Sequence, residues 1–106
     1  MTVDVNLRDG RVAEFAQDVK ACALGQASSA LMAAAVKGAT LPRLEQVTAD
    51  LRAYLSGASE ALPDWPGMEI FTPARAYPAR HAAILIPFEA VSAAVAASWR
   101  LRSARR

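Results

Sequence analysis

Cysteine is all but absent. Cys22 is the single thiol in 106 residues, so no disulfide can form within the chain and nothing marks an oxidising compartment. A long apolar run is missing too. The longest tract, Ala82 to Ala97, is interrupted by Pro87 and Glu89 and falls short of the ~20 residues that span a bilayer. Met1 is followed by Thr-Val-Asp, without the basic start and apolar stretch of a secretory leader. A cytoplasmic protein without a membrane partner is expected. Charge of one sign is also lacking: the net charge is +2, and four of the twelve basic residues are Arg100, Arg102, Arg105 and Arg106. These belong to a helix end and a basic tail over residues 103–106, where cations complement the helix dipole. Trp99 alone does not supply the interleaved aromatics of a nucleic-acid surface, so no nucleic-acid partner is expected. No Ser-His-Asp arrangement, phosphate loop or paired-carboxylate signature occurs, which argues against a hydrolase and against an enzyme.

What is present folds. Hydrophobic residues make up 54% and charged residues 21% of the chain, the balance of a packed single domain over residues 1–106. Thr2 to Arg8 alternates, with Val3, Val5 and Leu7 on one face, as a half-buried strand does. Asp9-Gly10 turns the chain into a second strand from Arg11 to Val19. A two-residue turn would set Val5 opposite Glu14 and waste the apolar face. A three-residue loop, Arg8-Asp9-Gly10, instead sets Val5 beside Ala13 and Val3 beside Phe15, and this register is favoured.

From Ala23 to Lys37 nearly every residue is apolar or small, the mark of a central helix, with Gly38 as its C-cap. Ser28 and Ser29 are expected to bond back to the preceding turn. Thr40 caps a second helix with Pro42 in its first turn. Leu44, Val47, Leu51, Tyr54 and Leu55 form its inner face, and Gly57 ends it. Residues 58–78 hold four of the six prolines and read as a structured connector, with a short extended piece at Met68 to Phe71 and Trp65 as an aromatic plug. Arg80 to about Arg102 forms a last helix, in which Pro87 removes one backbone bond. The expected fold is α+β: a small antiparallel sheet, the N-terminal hairpin, packed against three helices. Cys22 stands at the start of the first helix, where the dipole and unpaired N–H groups favour a thiolate.

Three segments carry a resemblance. Val12-Ala13-Glu14-Phe15 followed by Ala21-Cys22-Ala23-Leu24-Gly25-Gln26-Ala27-Ser28-Ser29-Ala30-Leu31-Met32 resembles the NifU/IscU/SufU iron–sulfur cluster scaffold family, in which a strand runs into a Gly-Cys-Ala-type turn and a Ser- and Ala-rich helix. Val36-Lys37-Gly38-Ala39-Thr40-Leu41 resembles the Val-Lys-Gly-Lys-Thr/Ser-Leu join of that family. Tyr77 to Val91 resembles its final Arg-x-x-Cys-x-x-Leu-x-Trp-x-Ala-Leu segment. The resemblance spans nearly the whole chain and implies a SufE/NifU-like fold. It also implies iron–sulfur cluster assembly, with iron or cluster binding and sulfur acceptance from a cysteine desulfurase, and with cluster acceptor proteins as further partners.

The departures bear on the ligands. The family holds its cluster, or a zinc ion, with three cysteines and an Asp or His. Its Cys-Gly-Asp motif has no counterpart ahead of Thr2, as in an N-terminally shortened domain, and its last cysteine falls at Ala83 or Ala82. Cys22 carries over as the cofactor and metal ligand, and His81 is the candidate second ligand. Four donors are needed for a [2Fe–2S] cluster or structural zinc. An iron–sulfur or zinc site would therefore share ligands with another chain, for instance in a homodimer. The alternative is a non-catalytic interaction module that keeps the scaffold fold and holds no cofactor.

Overall fold

The computed structural model describes residues 1–104. Two strands, β1 (Thr2–Arg8) and β2 (Arg11–Asp18), are followed by helices α1 (Ala23–Ala35) and α2 (Leu41–Ser56). Two 3-10 segments (Met68–Ala76 and Pro78–Arg80) lead into the last helix, α3 (His81–Ala104). The strands form a two-stranded antiparallel sheet, so the fold is α+β, a hairpin against three helices.

The hairpin takes neither register derived from the sequence. Asp9 and Gly10 both have positive φ (54° and 76°), the two-residue turn whose twist matches that of the strands. Arg8 pairs with Arg11 and Leu7 with Val12; a bulge then shifts the pairing, so that Val5 meets Phe15 and Val3 meets Gln17. One extra residue on β2 restores the match of apolar faces that the tight turn alone would lose.

The bulged strand is also tied down elsewhere. The Val12 N–H donates to the Ala39 carbonyl (3.0 Å), and the Gly38 N–H donates to the Val12 carbonyl (2.7 Å). Arg11 reaches the Gly38 carbonyl with its guanidinium (2.9 Å). These bonds explain why α1 stops at Ala35 rather than running on to Lys37: residues 38–40 are drawn to the edge of β2.

Helix α2 follows its sequence signals. The Thr40 hydroxyl accepts from the Arg43 N–H (3.3 Å), and Gly57 closes the helix in the left-handed region with φ 84°. The extended piece expected at Met68 to Phe71 is helical instead, the start of the first 3-10 segment. Gly67, with φ 87°, opens that segment and passes so close to Leu31 that a Cβ would sit 2.7 Å from its Cδ1. Arg75 then locks the connector to α2. Its guanidinium lies 4.4 Å over the Tyr54 ring and donates to the Tyr54 carbonyl (2.7 Å), to the Ser59 carbonyl (3.2 Å) and to both oxygens of Glu60.

Helix α3 packs against α1, α2 and β1. It is long and apolar enough to cross a membrane by length and composition; here it is the central helix of the core and buries Ile84, Phe88, Val91 and Val95. Trp65, the plug of the connector, meets Phe88 edge-on at 5.5 Å and donates its indole N–H to the Leu31 carbonyl (3.0 Å). Ser28 does not bond to its own helix. Its hydroxyl donates 2.6 Å to the Ile84 carbonyl of α3, one residue beyond the Ala83 carbonyl whose usual partner N–H is missing at Pro87.

Candidate functional site

Cys22 is exposed and occupies the N-cap of α1 in extended conformation, with no capping bond from its side chain. Two bonds fix its backbone. The Gln26 N–H donates to the Cys22 carbonyl (2.9 Å), and the Gln26 side-chain amide donates to the Ala21 carbonyl (3.1 Å). Gly25, one turn along, is buried; a Cβ there would lie 2.7 Å from that of Ala21. The residue after Leu24 therefore has to be glycine for the Cys22 turn to sit this close to the helix.

The thiol opens on a cavity of about 240 Å³ between the end of the hairpin and α3. Val19, Ala83, Ile86 and Pro87 give apolar walls, and Lys20 is the one charged side chain among the lining residues. Of the two positions that the resemblance offers for a last cysteine, Ala83 lies on this wall and Ala82 does not. His81 is turned elsewhere: its Nε2 is 2.9 Å from the Ala74 carbonyl, at the join between the first 3-10 segment and α3. The structure thus brings Cys22 and Ala83 to one cavity and does not bring His81 there.

The donor set limits what can be held. Among the described residues no group of three or more His, Cys, Asp or Glu side chains is placed for a metal ion. Around the cavity, Cys22 is the only strong soft donor; Met1 offers a thioether and Ser29 a hydroxyl. A cluster or zinc site wants four donors, thiolate or imidazole for preference. This chain's residues do not by themselves fit either.

A hairpin backed by three helices, with its one thiol exposed at a helix start beside an apolar cavity, defines a small α+β domain. Neither family models nor curated proteins give a match to the chain. Among solved structures it is similar to the N-terminal part of a nitrogen-fixing NifU-like protein from Brucella abortus. Identity is 39% with a TM-score of 0.81, over 92% of this chain and 69% of that one. The chain belongs to the NifU-like family of iron–sulfur assembly scaffolds.

Sequence reasoning found the thiol and missed its surroundings. Lys20, Ile86 and Pro87 carry no chemical motif, and Val19 and Ala83 meet only through tertiary packing. The one available signal was the spacing from Phe88 back to Ala83.

Proposed function

We propose that this chain serves iron–sulfur cluster assembly as a sulfur-accepting scaffold with a reduced ligand set, using Cys22 to take sulfur from a cysteine desulfurase. The observation that carries this reading is the exposed Cys22 at the N-cap of α1, open to the cavity. The Cys22 thiolate attacks the outer sulfur of a persulfide on the donor. A new S–S bond forms on Cys22, the donor's S–S bond breaks, and the donor leaves as its thiolate. No oxidant is consumed, because the sulfane sulfur moves at constant oxidation state. Lys20 supplies a cation beside the anionic sulfur, and the apolar walls keep water off one side of it.

A nascent cluster, the cargo of such a protein, would then need donors from a second protein or a second copy. Acceptor proteins would take the cluster onward, and the chain acts as a carrier rather than a turnover catalyst. A cytoplasmic setting suits a lone exposed thiol, which stays reduced there.

The test is anaerobic incubation with a desulfurase and cysteine, followed by intact-protein mass spectrometry, for the wild type and Cys22→Ser. One added sulfur per chain, absent from the variant, is expected. With ferrous iron included, about one cluster per two chains would mark a shared site. No sulfur on Cys22 would overturn the reading in favour of a metal-free interaction module on the same fold. That module would bind the same partner equally well as Cys22→Ser.

A further inference from the structure

Four exposed cations meet at the hairpin-turn end of the molecule, and they come from three parts of the chain. Arg8 and Arg11 flank the turn and stand directly cross-strand, a like-charge pair that costs stability in the free protein. Arg11 holds the Gly38 carbonyl (2.9 Å), which brings Lys37 to this end. Trp99 lies against the turn, its ring 3.5 Å from where a Cβ of Gly10 would stand, which brings Arg100 there as well. Among the described residues none of the four makes an ion pair, and Arg102, Arg105 and Arg106 follow in the sequence. The dipole of α3 accounts for cations in its own last turns. It does not account for Arg8, Arg11 and Lys37, which belong to other elements.

Apolar side chains stand among these charges. Trp99 is 48% and Leu101 61% exposed, on either side of Arg100. Trp99 also borders a groove of about 420 Å³ with Leu41 and Pro42 on its walls. A tryptophan half in water suits the boundary between an apolar and a polar medium. Along the solvent face of the hairpin the charge then reverses. Asp9 is the one carboxylate in the turn, while Glu14, Asp4 and Asp18 follow on that face at increasing distance from it. The cationic surface is a tip, not a stripe.

We propose that this tip docks on an anionic lipid surface, with Trp99 and Leu101 at the level of the headgroups and Arg8, Arg11, Lys37 and Arg100 among the phosphates. Charge complementarity selects an anion, and Trp99 and Leu101 select a surface with an apolar layer beneath it. A plane meets the tip alone. A nucleic-acid strand or an acidic peptide laid along the hairpin would run from the arginines onto Glu14 and Asp4. Seven strand residues at roughly 3.4 Å each set the Cys22 end about 20 Å from the surface. A docked chain keeps its thiol open to a partner.

Co-sedimentation of the intact chain with mixed phosphatidylcholine–phosphatidylserine vesicles tests this, with pure phosphatidylcholine vesicles and single-stranded DNA as comparators. Binding to the mixed vesicles alone is expected, weakened about fivefold by Arg8→Gln and about as much by Arg100→Gln. Arg80→Gln, the same charge change just ahead of α3 at its other end, and Cys22→Ser should each shift it less than about twofold. Trp99 emission should move to the blue on binding. Trp65 is buried, so Trp99→Phe should show no such shift. Unchanged thermal melting of Arg8→Gln and Arg100→Gln assigns their losses to the surface, and the two lie in different elements. The proposal is overturned by no vesicle binding, by equal binding to neutral vesicles, or by unshifted Trp99 emission. Equal weakening in Arg80→Gln or Cys22→Ser overturns it too, as does tighter binding of the DNA with the same variant pattern.

Discussion

Arg75 shows how much one side chain can hold. It stacks on Tyr54 and bonds two carbonyls of α2 and the connector as well as Glu60. The hydrogen bond from Arg75, and then its charge, hold the Glu60 carboxyl below its ordinary value of 4.5. A carboxyl depressed on folding adds stability that is present above the unfolded value and lost as pH falls through the folded one. The melting-temperature gap between wild type and Glu60→Gln is therefore expected to be widest near neutral pH and to close below about pH 4.5. A pH series of thermal melts reads it directly; a gap that grows in acid would contradict the assignment. Ser28 offers a second case. Its bond to the Ile84 carbonyl is wholly buried, and Ser28→Ala is expected to cost about 1 kcal/mol, or roughly 4–8 °C of melting temperature. At this scale the sequence was readable where chemistry is rare. Cys22 stood out as the only thiol and Thr40 as a cap. The bond from Ser28 was not readable, because a serine in a helix gives no sign of which distant carbonyl it will find.

Elements were legible from their periods, and their ends were not. Alternation in Thr2 to Arg8 and the inner face of α2 from Leu44 to Leu55 appear in the fold as read. The hairpin register failed because the bulge on β2 answers to the loop at residues 38–40, which the strand sequence does not contain. The same loop shortens α1. The extended reading of Met68 to Phe71 failed because the left-handed Gly67, packed against Leu31, sets up a 3-10 turn that prolines elsewhere in the segment obscure. The turn itself supports a prediction. Gly10 holds φ 76°, which an alanine tolerates poorly, so Gly10→Ala is expected to destabilise the fold by about 1–2 kcal/mol. Urea denaturation should show a lower midpoint at unchanged slope; a lower slope instead would place the effect in the unfolded ensemble.

Helix α3 makes the two ends of the molecule one object. Its first turns give Ala83, Ile86 and Pro87 to the Cys22 cavity, its middle buries Phe88, Val91 and Val95, and its last turns give Trp99 to the far groove. Phe88 is fully buried and meets Trp65 edge-on, which joins α3 to the connector and, through the bond from Trp65 to Leu31, to α1. Phe88→Ala should cost about 3–5 kcal/mol, a large part of the roughly 5–15 kcal/mol that holds a domain folded. Ile86→Ala, at a half-exposed rim position, should cost far less. The comparison separates local from global effects. Ile86→Ala is expected to change how fast Cys22 reacts with iodoacetamide while leaving the Trp99 end untouched. In Phe88→Ala, amide exchange should rise together in α1, α3 and the connector, with melting lowered by more than about 10 °C. Exchange confined to the turns around Phe88 would mean that the two ends are stabilised separately, with α3 a spacer between them rather than their common support.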